Sequence, residues 1–428
     1  MRKLIAAAGI FALGLTMTAC SSAGGGTEGG GDAAGGEVDV MTWWEAGSEK
    51  QGLEALVKVF NEQNPDIKFV NAAVAGGGGD QAKQKNQADL AAGNPTDTYQ
   101  GHAGAELSAD IAAGYLEDVS ALYDEFGLRD AFPQTLLDRV TVDGKIYSIP
   151  ATIHRANPVW VSAAACEKAG IDPSVAPADI DAWLADMQKL VDAGVKYPLG
   201  VGTTWTQLEL LEGVLIADLG ADDYNALMAG DLGWDDAKVT VAFEHFDALM
   251  KFTDPALYTE DWEPAMKGVI NNDGTQAYSL MGDWTPPAFA AAGKEMGKDW
   301  FVWPAPGNEG VFDFLSDSFT MPKGAKHPDG TKAWLKTISS MEGQVAFNSV
   351  KGSIPARSDL TDADIAKFSE YQQTAMESFK NDTIVSSIAH GAALPLTVTE
   401  AMKNALGKYD ANPDVKVLQE EFVAAAAM

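Results

Sequence analysis

Between Val38 and Gly104 the sequence switches repeatedly between strand-like and helix-like periodicity, and that alternation restricts the possible folds more than any other feature. Val38-Asp39-Val40-Met41-Thr42-Trp43-Trp44 alternates closely enough to predict a strand. Ser48-Glu49-Lys50-Gln51 then has the form of a capping box, and Leu53, Leu56, Val57 and Phe60 follow at helical spacing. Asn64-Pro65 stops that helix, Ile67 to Val70 resumes a strand, Gly76 to Gly79 makes a turn, and Gln81 to Ala92 returns to helix. Asn94-Pro95 breaks the second helix before Thr98-Tyr99-Gln100. A βαβαβ order of this kind predicts an α/β fold with a mostly parallel sheet flanked by helices, where ligands sit outside the carboxyl ends of the strands. Trp43-Trp44 and His102 both fall at such ends. Later strands are expected at Lys145 to Ile149, Ala277 to Met281 and Phe312 to Leu315, with helices at Ala178 to Ala193, Ala237 to Phe252 and Thr331 to Ser340.

The segment before this alternation cannot fold in the same way. Arg2 and Lys3 precede an apolar run from Leu4 to Met17, 14 residues long and too short for a membrane span of roughly 20 residues. Thr18-Ala19-Cys20 after Leu15 resembles a bacterial lipoprotein cleavage box, with Met17 a mild departure. Residues 1–19 are therefore expected to be a lipoprotein signal peptide and Cys20 the lipid-attachment site. The next stretch, 20–37, reads as a flexible tether, since Ser21 to Gly36 holds 8 glycines with Ser, Ala, Thr and two acids. Two or three acyl chains on a cysteine anchor stably where one does not. The expected location is the cell surface, lipid-anchored to the outer face of the bacterial cytoplasmic membrane.

The length beyond the tether, roughly 390 residues, allows two domains with a core each. The net charge of −31, or −33 once Arg2 and Lys3 leave with the signal, argues against nucleic-acid or anionic-membrane surfaces. If Cys20 is lipidated, Cys166 has no partner for an internal disulfide. Eleven tryptophans are many for 428 residues, and some are expected to face a ligand.

Adjacent strand residues point to opposite faces, so Trp43 and Trp44 cannot both be plain core; one indole would look over the strand end. Glu49 falls in the first turn of the first helix, where an acid complements the macrodipole and could equally accept hydroxyl protons. His102 lies among small residues in Gly101-His102-Ala103-Gly104. Met281-Gly282-Asp283-Trp284 sets an acid beside an indole, and Leu315-Ser316-Asp317-Ser318-Phe319 sets one beside hydroxyls, though either acid could serve a turn or cap. Indole, acid and imidazole recurring at strand ends are the make-up of a small-molecule pocket. None of the five histidines, His102, His154, His245, His327 and His390, has the spacing of a metal pair. No nucleophile elbow, H-E-x-x-H or P-loop is present, so neither a cofactor nor catalysis is expected, with a secreted glycoside hydrolase using Glu49, Asp283 or Asp317 kept as the rival.

Taken together, Trp43-Trp44 with its helix, Asp97 to Gly104, Ile153-His154-Arg155-Ala156-Asn157, Trp205-Thr206-Gln207, Met281 to Trp284, Leu315 to Phe319, Lys351-Gly352-Ser353-Ile354 and Ala389-His390-Gly391 resemble the extracellular solute-binding lipoproteins of ABC sugar importers, most closely the glucose/mannose-binding members. The resemblance implies a two-lobed periplasmic-binding-protein-like fold closing by a hinge on one mono- or short saccharide, which is delivered to ABC permease transmembrane subunits. It implies Trp43, Trp44 and Trp284 as ring-stacking walls and Glu49, His102, Asp317, Lys351 and His390 as hydroxyl partners, with Trp205, Gln207 and Arg155 near the cleft. Glu45 is a departure, standing after the Trp pair like an inserted residue. The expected lobes are 38–150 with 317–350, and 151–316 with 351–428. A monomer is expected, and a polyol, disaccharide or peptide remains as an alternative ligand.

Overall fold

The structure, a computed structural model, describes residues 36–74 and 79–428. The signal peptide, Cys20, most of the tether and the turn residues Gly76 to Gly78 lie outside the described residues. Strand β1 (Glu37–Met41) already includes Glu37, the last residue assigned to the tether.

The expected alternation is present: β1, the helix Gly47–Gln63, β2 (Lys68–Asn71), the helix Asp80–Ala91 and β3 (Thr98–His102) follow in order. β1 pairs in parallel with both β2 and β3. Next come β4 (Thr141–Val142), β5 (Lys145–Ile146), β6 (Ser148–Pro150), β7 (His154–Arg155), β8 (Pro158–Ser162), β9 (Tyr278–Leu280), β10 (Trp300–Pro304), β11 (Val311–Leu315), β12 (Asp317–Thr320) and β13 (Thr383–Ser386). The main sheet is five-stranded with order β2-β1-β3-β12-β6. The sheets are mixed rather than mostly parallel, because β12 runs antiparallel to both β3 and β6, and β8 runs antiparallel to β9 and β10. The parallel rule holds only where successive strands are joined by a crossover helix, and β12 instead enters the main sheet directly from β11 through the single residue Ser316.

Two large cores result. One gathers Val38, Val40, Leu56, Phe60, Phe319 and Trp334 around the main sheet and the helix Gly47–Gln63. The other gathers Trp183, Leu211, Phe243 and Phe246 around β8, β9 and β10 and the helices Ile180–Asp192, Thr204–Ala229 and Ala237–Met250. Asp179 and Asp236 cap two of these helices by accepting from Ala182 N and Lys238 N, satisfying amides the helix start leaves free. The expected capping box at Ser48 does not form: the cap is Ala46, with no side-chain bond, and Ser48 Oγ instead donates to Trp284 O at 3.5 Å. Three stretches run side by side, with Ala151, Ile153 and Ile354 part of the first core. Ala151 N donates to Asp317 O at 2.8 Å, Ser316 Oγ donates to Thr152 O at 2.5 Å, and Ile153 and Ile354 exchange backbone bonds of 2.8 and 3.0 Å.

Candidate functional site

The carboxyl ends of β1 and β3, the start of β12 and the ends of several helices converge on one narrow cleft of about 50 Å³. Register explains the first contact: Asp317 is the antiparallel partner of His102, so both side chains leave the sheet on the same face. Asp317 Oδ1 accepts from Gln100 Nε2 at 2.8 Å and lies 3.6 Å from His102 Nε2, while Oδ2 lies 3.2 Å from His154 Nε2. Burial alone would raise the Asp317 carboxyl, but the hydrogen bond and charge of His154, with Lys351 and His102, hold it well below the ordinary carboxylate range.

The imidazoles are fixed from behind. Glu106 Oε2 takes His102 Nδ1 at 2.7 Å and Lys83 Nζ at 2.9 Å. Burial opposes ionisation of Glu106, and Lys83 and His102 overcome it, so its carboxylate stays charged. His154 Nδ1 bonds to Asp283, whose other oxygen accepts from Arg155 N at 3.0 Å. Burial lowers the His154 pKa, but the Asp283 charge more than compensates and the net shift is upward. Burial, together with the positive charge of His102, Lys83 and His154, drives His390 well below its ordinary value, so it is neutral. Its Nδ1 lies 3.0 Å from Ser387 Oγ, whose proton goes to Glu212 at 2.9 Å, which assigns the ring proton to Nδ1 and leaves Nε2 as a buried acceptor without a partner.

Lys351 ends the helix Met341–Lys351, where Gly352 at φ +98° turns the chain; a Cβ there would stand 2.6 Å from Asp283 O. The ammonium reaches Glu49 Oε1 at 3.0 Å and lies 5.7 Å from the centroid of Trp284. Burial raises the Glu49 carboxyl despite that pairing. Glu45 does not disturb this arrangement, because it points to Asn71 Nδ2 at 3.5 Å while Glu49 faces the cleft. Aromatic rings close the walls: Trp43 lies 5.3 Å from His102, Trp284 lies 5.3 Å from both His154 and His390, and Trp205 lies 5.8 Å from His390. Trp43 is itself backed by Gly79 at φ +91°, where a Cβ would stand 2.7 Å from the indole.

Of the residues singled out by sequence, Trp43, Glu49, His102, Trp205, Trp284, Asp317, Lys351 and His390 line the cleft. Three do not. Trp44 follows a bend at Trp43, beyond the end of β1, and is fully buried against Phe319 and Phe347. Arg155 is turned away because adjacent strand residues point to opposite faces and its neighbour His154 takes the cleft face, and it donates to Asn157 Oδ1 at 2.9 Å and Val311 O at 3.0 Å. Gln207 lies two residues along the helix from Trp205 and so faces another side, donating to Gly202 O at 3.1 Å and Asp410 Oδ2 at 3.0 Å. The residues missed are His154, Asp261, Trp262 and Leu315. Asp261-Trp262 repeats the acid-beside-indole pairing of Asp283-Trp284, a signal present in the sequence, and Asp261 Oδ1 accepts from Trp205 Nε1 at 3.1 Å. Among the described residues no group of three or more His, Cys, Asp or Glu could hold a metal ion.

The site thus offers flat apolar ring faces, anionic and neutral acceptors and one buried ammonium, a set suited to a polyhydroxylated neutral ligand. The family described as "Bacterial extracellular solute-binding protein" matches residues 46–345. The "uncharacterized ABC transporter extracellular-binding protein" of Pyrococcus horikoshii is 32% identical over 392 residues, covering 91% of this chain and 87% of that protein. The "probable sugar-binding periplasmic protein" of Rhizobium meliloti is 31% identical over 412 residues, covering 94% and 93%. Among solved structures, a bacterial solute receptor described as preferring β-D-galactopyranose superposes with a TM-score of 0.76 at 18% identity, covering 91% of this chain and 97% of that one.

Proposed function

The chain belongs to the bacterial extracellular solute-binding proteins, a family that binds its substrates rather than transforming them, and on that premise we propose that its cleft closes on a neutral glucose- or mannose-type mono- or short saccharide for an ABC importer. The observation that carries this reading is the gathering of Trp43, Trp205 and Trp284 with Asp317, Lys351 and His390, all buried, around one cleft. The Rhizobium meliloti relative, described as a probable sugar-binding periplasmic protein, supports the sugar class.

The indoles cover the C–H faces of the ring while its hydroxyls meet partners matched in sign. Asp317, Glu49 and Asp261 accept, His390 Nε2 accepts as a neutral imidazole, and Lys351 donates. Hydrogen bonds to charged groups are the stronger kind, and a micromolar affinity requires only about −8 kcal/mol. Lobes at 38–150 with 317–350 and 151–316 with 351–428 would move about the three adjacent stretches near Thr152, Ser316 and Ile354. A ligand touching both lobes favours the closed state by its differential contacts. The closed shape is then what the permease subunits engage, with the monomeric chain held at the outer membrane face through a lipidated Cys20.

Intrinsic tryptophan fluorescence titrated with glucose, mannose, galactose, xylose and arabinose tests the reading. A saturable change with glucose or mannose is expected. No change with any of the five sugars would defeat it.

A further inference from the structure

Glu212 stands about two turns on from Trp205 in the helix Thr204–Ala229, fully buried and outside the lining of the cleft. Four donors fix its carboxylate. Ile388 N at 2.6 Å and Tyr224 Oη at 2.8 Å give to Oε1, and Ser387 Oγ at 2.9 Å and Ala389 N at 3.2 Å give to Oε2. Ser387, Ile388 and Ala389 directly precede His390, so one carboxylate holds the whole turn that presents that imidazole to the cleft. Burial pushes the Glu212 carboxyl up to about 6 against those bonds, so near pH 8 it is ionised and can only accept. Ser387 Oγ, with one proton to give and two lone pairs, therefore donates to Glu212 and accepts from His390 N at 3.3 Å and His390 Nδ1 at 3.0 Å. Every capacity of that hydroxyl is used, and the charge on Glu212 is expressed in the cleft as a bare lone pair on His390 Nε2.

We propose that Glu212 is a positioning residue that sets ligand specificity: by fixing the tautomer of His390 through Ser387, it makes the cleft select a group that donates a proton over one of similar size that can only accept. The inference rests on the sugar-binding reading above and deepens it, from the class of ligand to the property of a hydroxyl that is read. A hydroxyl can meet either tautomer, so shape and indole walls alone do not make this distinction. With Nε2 bare, a fluorine or an ether oxygen in the hydroxyl's place sets lone pair against lone pair in a buried site, where an unmet acceptor is costly. Glu212→Gln reverses the relay with little change of shape. The amide oxygen stays on Ile388 N, the shortest of the four bonds, and the NH₂ faces Ser387 Oγ and donates to it. Ser387 still accepts from His390 N, so its own proton turns to Nδ1 and the imidazole proton moves to Nε2. Ser387→Ala cuts the link while Glu212 keeps its other three donors.

Nitrogen NMR of the sugar-free protein, labelled with ¹⁵N in its histidines and held at pH 8, tests the relay directly, with the His390 signals identified by their loss in His390→Gln. The wild type should show a protonated Nδ1 and a bare Nε2, Glu212→Gln the reverse, and Ser387→Ala a mixture of the two. Calorimetry with glucose and with its deoxy and deoxyfluoro analogues at each hydroxyl position then reads the specificity. At the position that meets His390, the fluoro analogue should bind the wild type roughly tenfold or more weaker than glucose, and no better than the deoxy analogue. In Glu212→Gln the fluoro analogue should bind better than the deoxy one, an inversion that a mere loss of packing, weakening all the sugars together, would not produce. A wild-type His390 protonated at Nε2, a Glu212→Gln protein that keeps the proton on Nδ1, or an unchanged order of the two analogues would overturn the inference and leave the sugar-binding reading intact. If Glu212→Gln does not fold, the wild-type and Ser387→Ala spectra decide it, an unchanged Nδ1 proton in Ser387→Ala counting against the relay. Absence of binding by glucose and every analogue would remove the sugar-binding reading and the specificity with it, while the spectra still decide where the proton sits.

Discussion

Replacing Asp317 by Asn probes the cleft with the least change of shape. Asp317 Oδ1 already accepts from Gln100 Nε2, so the new amide would keep its oxygen there and turn its NH₂ toward His154 Nε2. The acceptor offered to a hydroxyl thereby loses its charge. Hydrogen bonds to charged groups contribute about 1.5–3 kcal/mol against about 0.5–1.5 for neutral ones, so a loss of about 1–2 kcal/mol is expected. That corresponds to roughly 5- to 30-fold weaker hexose binding. Because the Asp317 carboxyl is held well below its unfolded value, its contribution to stability is complete above that value and disappears as pH falls through the folded one. Asp317→Asn should therefore flatten the acid limb of the stability curve below about pH 4, near the ordinary aspartate value. Calorimetry with glucose and urea denaturation between neutral and acid pH read both effects on the same variant. A folded Asp317→Asn protein that binds glucose within about twofold of wild type, under 0.5 kcal/mol, would refute the assignment of this carboxylate.

Other substitutions separate the cleft from its supports. Trp205→Ala should weaken hexose binding by roughly tenfold or more, since an aromatic face and a cleft wall are removed together, whereas Gln207→Ala should leave affinity nearly unchanged and show only in thermal stability. Gly352→Ala meets both a left-handed backbone and the Asp283 carbonyl, so it should cost about 1–3 kcal/mol of stability and displace Lys351; a melt and a glucose titration check it. Glu209 is buried with neither oxygen partnered and faces the charge of Glu212, and burial raises both carboxyls, Glu212 to about 6. The folded state then holds protons that the unfolded chain has released, so Glu212 withdraws stability as pH rises from about 4.5 through 6, and Glu209, raised further, goes on doing so as pH rises beyond that. Glu209→Gln should raise the melting temperature at pH 8 by more than at pH 5, and an equal change at both would contradict it.

The sequence pattern carried the order of elements from β1 to β3 because local periodicity and Pro or Gly breaks define those segments. It did not carry the antiparallel pairing of β12, which depends on contacts more than two hundred residues apart, such as Ser318 Oγ to Gly101 O. In the cleft, residue type and position at strand ends were legible for Trp43, His102, Asp317 and Trp284. Trp44, Arg155 and Gln207 stand beside cleft residues in the sequence but face elsewhere: Trp44 follows the bend at Trp43 into the core, Arg155 alternates with His154 along β7, and Gln207 lies two helical positions from Trp205. The groups behind the cleft, Glu106 and Lys83, leave no sequence signal as a pair, since they sit 23 positions apart and come together, at 2.9 Å, only in the folded chain.

The central claim is that one neutral sugar occupies this cleft in each chain, and equilibrium dialysis of the mature protein against radiolabelled glucose or mannose tests it without relying on any spectroscopic signal. The account predicts retained label that saturates at one sugar per chain at free concentrations on the order of micromolar, as about −8 kcal/mol of binding requires. No retained glucose or mannose at free concentrations on the order of millimolar, where even about −4 kcal/mol would register, would contradict it.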